Sequence, residues 1–301
     1  MNPDALTPTP AAPSLRSRLL ATVIGLSGTR EKQFDPSRFT GTPSTPAQYG
    51  PPRSVRRSTR VTETEVGGWP VLRISPPAET AGPVLYLHGG AWAAEIRAGH
   101  WTFLATLARL TGRAFVVPIY PLVPRATHAD HLPVLTSLWS SITATSPAAL
   151  MGDSAGATIA LNLLRALPEG AARPESTILL SPTLDLTVSH PGIAAVAPRD
   201  PLLKAEHLRA LAALYAGEDG VNSPAVNPMA SDLAGLGSVT VFTGTRDILN
   251  PDAHRFAERA ATAPGTSVDV IESPGMMHDW MLMPLPEAAA TTTRIASLLT
   301  A

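Results

Sequence analysis

The stretch that most constrains the fold is Gly152-Asp153-Ser154-Ala155-Gly156. Four apolar residues, Ala148 to Met151, precede it and read as a short buried strand. Ala157 to Leu164 follow it and read as a helix. A G-x-S-x-G pattern between a strand and a helix meets the requirements of a nucleophile elbow. There the chain reverses sharply, the serine occupies a strained apex, and side chains two residues either side would collide. The helix that starts at the turn aims its N-terminal N–H groups at the place where negative charge would develop.

The rest of the chain supplies a scaffold for such a turn. Trp69–Ile74, Pro83–Leu87, Ala114–Tyr120, Ser176–Pro182, Val239–Gly244 and Ser267–Glu272 read as strands. Gly99–Thr111, His128–Ala144, Lys204–Tyr215, Asp252–Ala261 and Glu287–Leu299 read as helices between them. This alternation predicts an α/β fold with a mostly parallel sheet flanked by helices. Val55–Val66 is expected to pair with Trp69–Ile74 as an antiparallel start. Residues 1–14 are proline-rich and read as a tail, Leu15–Leu26 as an amphipathic helix, and 34–52 as a loop. Within 301 residues the expected organisation is 1–54 as a tail with a cap helix and 55–301 as the catalytic domain. Residues 185–230, which break the alternation, are expected as a cap insertion.

Composition removes whole classes of function. The 23 basic and 24 acidic side chains nearly cancel, which leaves no electrostatic footprint for nucleic acid. With no cysteine, disulfides, thiolate metal sites and a cysteine nucleophile are excluded. No apolar run approaches the roughly 20 residues of a membrane span. Leu19–Leu26 follows Arg16 and Arg18 but is short and begins late for a signal peptide, so a cytoplasmic protein is expected. His128 and His131 flank Asp130 without an evident third ligand, so no metal site is expected.

A serine hydroxyl needs a base, and the base needs an orienting group. Of eight histidines, His278 lies in a Gly/Pro loop after the last strand, where sites form in open α/β sheets. His100, His207 and His254 fall in or beside helices and are expected at the surface. Asp247 follows the strand at 239–244 and is the expected acid, with Asp252 as fallback. The order Ser154, Asp247, His278 is that of a strand-end triad. His88-Gly89-Gly90-Ala91-Trp92 ends an earlier strand, and its glycines can turn N–H groups toward an oxyanion; the Ala155 N–H completes that set.

With these motifs in place, and with Ser181-Pro182-Thr183-Leu184-Asp185-Leu186, Arg199-Asp200-Pro201-Leu202-Leu203, Gly244-Thr245-Arg246-Asp247-Ile248-Leu249 and Gly275-Met276-Met277-His278-Asp279, the chain resembles the hormone-sensitive lipase family of esterases and lipases. The resemblance covers roughly 55–300 and implies the α/β-hydrolase fold with a small helical cap. It implies Ser154 as nucleophile, His278 as base and Asp247 as its partner, with Gly89, Gly90, Ala91 and Ala155 at the oxyanion hole. His88 would brace the oxyanion loop, and Asp153 is the acid usual before the serine. Ala91 stands where family members commonly carry a third glycine; a backbone donor survives that change. The implied reaction is hydrolysis of a short- to medium-chain acyl ester through an acyl-enzyme, without cofactor or metal. Trp92, Leu202, Leu203 and Met277 are the expected substrate-binding residues, with Trp101 and Met276 as further wall candidates. An amidase, deacetylase or aryl formamidase-like enzyme would share the triad, and a binding protein on this scaffold would have lost part of it. Family members are often dimers through the last strand, which sets a homodimer as an expectation.

Overall fold

Four consecutive strands of the sheet have no exposed residue, because helices cover them on both faces. In a computed structural model of the chain, which describes residues 12–39 and 49–301, these are β3 (Val84–Leu87), β4 (Phe115–Pro118), β5 (Ala149–Asp153) and β6 (Thr177–Leu180). Apolar runs without alternation are what two covered faces demand. β1 (Arg60–Val66) and β2 (Trp69–Ser75) precede them, and β7 (Gly237–Gly244) and β8 (Thr266–Ser273) follow. The sheet has the order β1-β2-β4-β3-β5-β6-β7-β8. β1 and β2 are antiparallel to each other, β2 is antiparallel to β4, and the remaining pairs are parallel. Val55, expected in the first strand, instead lies in a short helix, Arg53–Ser58, whose N-cap is Pro52, with the Pro52 carbonyl accepting from Val55 N and Arg56 N.

The helices are α1 (Leu15–Leu26), α2 (Thr29–Lys32), α3 (Arg53–Ser58), α4 (Ala98–Thr111) and α5 (His128–Thr143), then α6 (Ala155–Ala166), α7 (Ile193–Val196), α8 (Ala205–Ala216), α9 (Asn250–Ala260) and α10 (Pro286–Thr300). α6 is the central one, with its first ten residues buried. Between β6 and β7 the described chain forms no strand and carries α7 and α8.

α1 forms where expected, but it is not seated by an apolar face. Leu15, Leu19, Val23 and Leu26 point outward, while Ser17 and Ala21 are the buried positions. Small side chains allow the close approach, and Ser17 Oγ donates to Glu287 Oε2 on α10 at 2.6 Å. Residues 1–11 of the expected tail and 40–48 of the expected loop lie outside the described residues. Among the described residues no helix is long and apolar enough to cross a membrane.

The strand order reverses between β3 and β5. A crevice opens outside the carboxyl ends of the strands at such a point. Ser154 follows β5, and His88 to Trp92 follow β3, so two of the expected motifs are brought together there by topology alone.

Candidate active site

Ser154 sits at φ 50°, ψ −119°, a strained conformation for a residue with a side chain. Its N–H donates to Leu180 O at 2.8 Å, and its carbonyl accepts from Thr183 N at 3.1 Å, so β6 and the loop beyond it hold the apex. Gly156 is obligatory beneath the turn: a Cβ there would lie 2.1 Å from Leu87 O. α6 crosses β3 too closely to admit any side chain.

His278 and Asp247 arrive from separate strand ends. The loop after β7 is tied to the loop after β8, with Arg246 N donating to Met276 O at 2.9 Å and Gly275 N to Thr245 Oγ1 at 2.8 Å. His278 Nδ1 lies 2.8 Å from Asp247 Oδ2, and Nε2 lies 2.9 Å from Ser154 Oγ. Asp247 Oδ1 accepts from Leu249 N. Asp200 braces this loop, accepting from Ile248 N at 2.9 Å and from Leu202 and Leu203 N. Burial and the adjacent Asp247 carboxylate push the Asp200 carboxyl up to about 6. The fallback acid Asp252 is buried elsewhere, 2.9 Å from Arg255, and touches neither His278 nor Ser154.

The turn after β3 brings Gly89, Gly90 and Ala91 to the mouth of the same crevice. Gly90 has φ +119°, and a Cβ on it would meet Ala94 O at 2.4 Å. Ala91 and Trp92 continue in the left-handed region, at φ 53° and 58°. Among the described residues the N–H groups of Gly90, Ala91 and Ala155 enter no hydrogen bond, and Ala155 is the first residue of α6, whose N–H has no intrahelical acceptor. His88 braces the turn from below. Its Nδ1 lies 2.7 Å from Gly89 O, and its ring stacks on Tyr120 at 4.5 Å. Tyr120 in turn donates its hydroxyl to His88 O. Burial lowers His88 to about 4, so the ring is neutral and Nδ1–H serves as donor.

His100 corrects its surface assignment. It is buried, with Nε2 3.2 Å from Asp153 Oδ2 and Nδ1 accepting from Arg97 N at 3.1 Å. Tyr86 donates to the other Asp153 oxygen. Burial opposes the Asp153 charge, but the His100 imidazole and the Tyr86 hydroxyl outweigh it and hold the carboxyl below its ordinary value. His128 and His131 are also buried and do not converge on a shared ligand; one meets Asp219 at 2.6 Å and the other Pro121 O at 2.8 Å.

Ser154 and His278 line a cavity of about 250 Å³ whose wall includes Gln33, Phe34, Gly90, Glu95, Leu202 and Met283. Of the four expected substrate-binding residues, Leu202 is on this wall. Trp92, Leu203 and Met277 are not; each is 1% exposed and packed in the core. Trp92 stacks on Tyr215 of α8 at 4.9 Å, which turns it away from the crevice. Trp101 and Met276 are likewise buried away from the wall. Sequence reasoning missed Gln33, Phe34, Glu95 and Met283, which come from three separate segments and belong to no motif, and it gave no role to Asp279, although Asp279 closes the motif around His278.

The fold and this arrangement define an α/β hydrolase, and residues 84–282 match the α/β-hydrolase fold family. A protein of Mycobacterium tuberculosis with an acetyl-hydrolase name, LipR, is 32% identical over 77% of each chain. An acetyl-hydrolase of Streptomyces hygroscopicus is 30% identical over 69% of this chain and 71% of its own. A solved esterase of the bacterial hormone-sensitive lipase family superposes with a TM-score of 0.81 at 25% identity, covering 96% of this chain and 98% of that one. The chain belongs to the α/β-hydrolase family and, within it, to the hormone-sensitive lipase group of carboxylic ester hydrolases.

Proposed function

We propose that the chain hydrolyses short-chain acyl esters with Ser154 as nucleophile, His278 as general base and Asp247 as the group that orients it. The observation that carries this reading is the continuous line Asp247 Oδ2, His278 Nδ1, His278 Nε2, Ser154 Oγ, with links of 2.8 and 2.9 Å. Both links lie within hydrogen-bond reach for proton transfer. Asp247 accepts a hydrogen bond from Nδ1–H, which leaves the Nε2 lone pair for the serine hydroxyl.

Ser154 Oγ attacks the ester carbonyl while its proton passes to Nε2. The oxyanion meets the N–H groups of Gly90, Ala91 and Ala155, donors fixed before the reaction begins; the loss of one such donor typically costs about 3–4 kcal/mol. The alkoxide leaves with the proton from Nε2, and water then cleaves the acyl-enzyme by the same steps. The small cavity supports a short acyl chain, as do the acetyl-hydrolase names of two relatives.

Hydrolysis of p-nitrophenyl esters from acetate to palmitate, with Ser154→Ala alongside, tests the proposal. The expected result is turnover greatest on the shortest chains and absent from the variant. Activity rising toward palmitate would overturn the chain-length part, and an active Ser154→Ala would overturn the triad.

A further inference from the structure

The nitrogen that faces Ser154 also faces a second carboxylate. Asp279 Oδ2 lies 3.2 Å from His278 Nε2, on the edge of the ring opposite Asp247. This placement is built by the backbone. Asp279 adopts φ 50°, ψ 35°, and its N–H donates to Ser181 Oγ at 3.0 Å. The short polar side chain of aspartate tolerates that left-handed conformation. Its other oxygen, Oδ1, is buried without a hydrogen-bond partner among the described residues, so the imidazole is the cation-forming group in contact with this carboxylate. Asp153, His100 and Tyr86 face it from the floor, and Glu95 and Arg97 share its cavity.

We propose that Asp279 is a positioning residue acting through His278: its carboxylate holds the imidazolium that forms when Ser154 gives up its proton, and so sets the pH above which the enzyme works. This rests on the triad reading above. The proton balance is unchanged by it. As the Oγ–carbon bond forms, the serine proton moves to Nε2 and the carbonyl electron pair moves onto the oxyanion. As the carbon–oxygen bond to the leaving group breaks, the alkoxide takes that proton. Asp279 stays ionised throughout and contributes charge alone.

The electrostatics agree in direction. Burial opposes the imidazolium, but the carboxylates of Asp279 and Asp247 outweigh it and hold His278 well above the ordinary histidine range. Asp279 itself is pushed up to about 6 by burial, with the Asp153 carboxylate adding to the rise, so it is mostly ionised at neutral pH and its charge is complete at alkaline pH. A base held protonated becomes competent only as pH rises through its value. Removing the Asp279 charge therefore moves the acid limb of activity toward lower pH.

The test is kcat/KM for p-nitrophenyl acetate from pH 5 to 10 in wild type, Asp279→Asn and Asp279→Gly. Asparagine keeps the volume, and glycine suits the positive φ. In both variants the acid limb is expected about one pH unit or more lower. An unmoved limb, even with reduced kcat, would overturn the proposal and leave Asp279 a structural residue. A second arm needs no turnover: NMR titration of the His278 ring in Ser154→Ala with and without Asp279→Gly. The ring is expected to lose its proton at lower pH in the double variant, and coincident titrations would overturn the proposal. If the wild type hydrolyses no ester, the functional reading fails while this arm still decides the role of Asp279.

Discussion

Two buried aspartate–histidine pairs lie within one site, and only one of them reaches the serine. Asp247–His278 and Asp153–His100 are both buried, at 2.8 and 3.2 Å. They differ in what the second ring nitrogen meets. In His100 it accepts the Arg97 N–H, which fixes the proton on Nε2 and closes the pair on itself. In His278 it meets the Ser154 hydroxyl. On the proposed mechanism, what separates a reacting aspartate–histidine pair from a structural one is the partner of its far nitrogen: a hydroxyl in one, the backbone in the other.

That contrast can be broken in order of size. Ser154→Ala should lower kcat by about 10⁶-fold, near 8 kcal/mol, while thermal unfolding stays unchanged. Asp247→Asn should cost about 10⁴-fold in kcat through the wrong tautomer, whereas Asp252→Asn should leave kcat within about tenfold; the opposite ranking would reassign the acid. His100→Ala strips a buried carboxylate of its partner and should lower the unfolding free energy by about 3–5 kcal/mol, read by urea denaturation. If it instead abolished turnover in a fully stable protein, the two pairs would not differ as described. Tyr86→Phe, which deletes one hydroxyl donor to Asp153, should destabilise by about 1.5–3 kcal/mol.

The fold, and the meeting of Ser154, His278 and Asp247 at one place, were legible because sterics and topology write them locally. A strand, two glycines around a serine and a helix admit few geometries, and acids or bases after successive parallel strands must gather at one sheet edge. What direction a loop side chain takes was not legible. Leu202 and Leu203 are neighbours, with N–H groups bound to the same Asp200 carboxylate, yet only Leu202 faces the cavity. His100 looked like a surface residue because helical spacing does not say that Asp153 lies against its face. Asp279 stood next to His278 in the chain, but its contact with Nε2 depends on a left-handed turn held by Ser181, a residue nearly a hundred positions away.

The stack of Trp92 on Tyr215 has a consequence for anyone recombining such enzymes. It couples the glycine turn after β3 to the helix-bearing segment between β6 and β7, two pieces that a designer would exchange separately. Tyr215 also packs against His131 at 5.7 Å, and His131 against Tyr120 at 5.1 Å, the ring beneath His88. A chimera that imports a new segment 185–236 inherits a sound backing for Gly90 and Ala91 only if it brings a flat aromatic ring at position 215; a screen of such chimeras should sort into active and inactive on that one position before any change in substrate preference is seen.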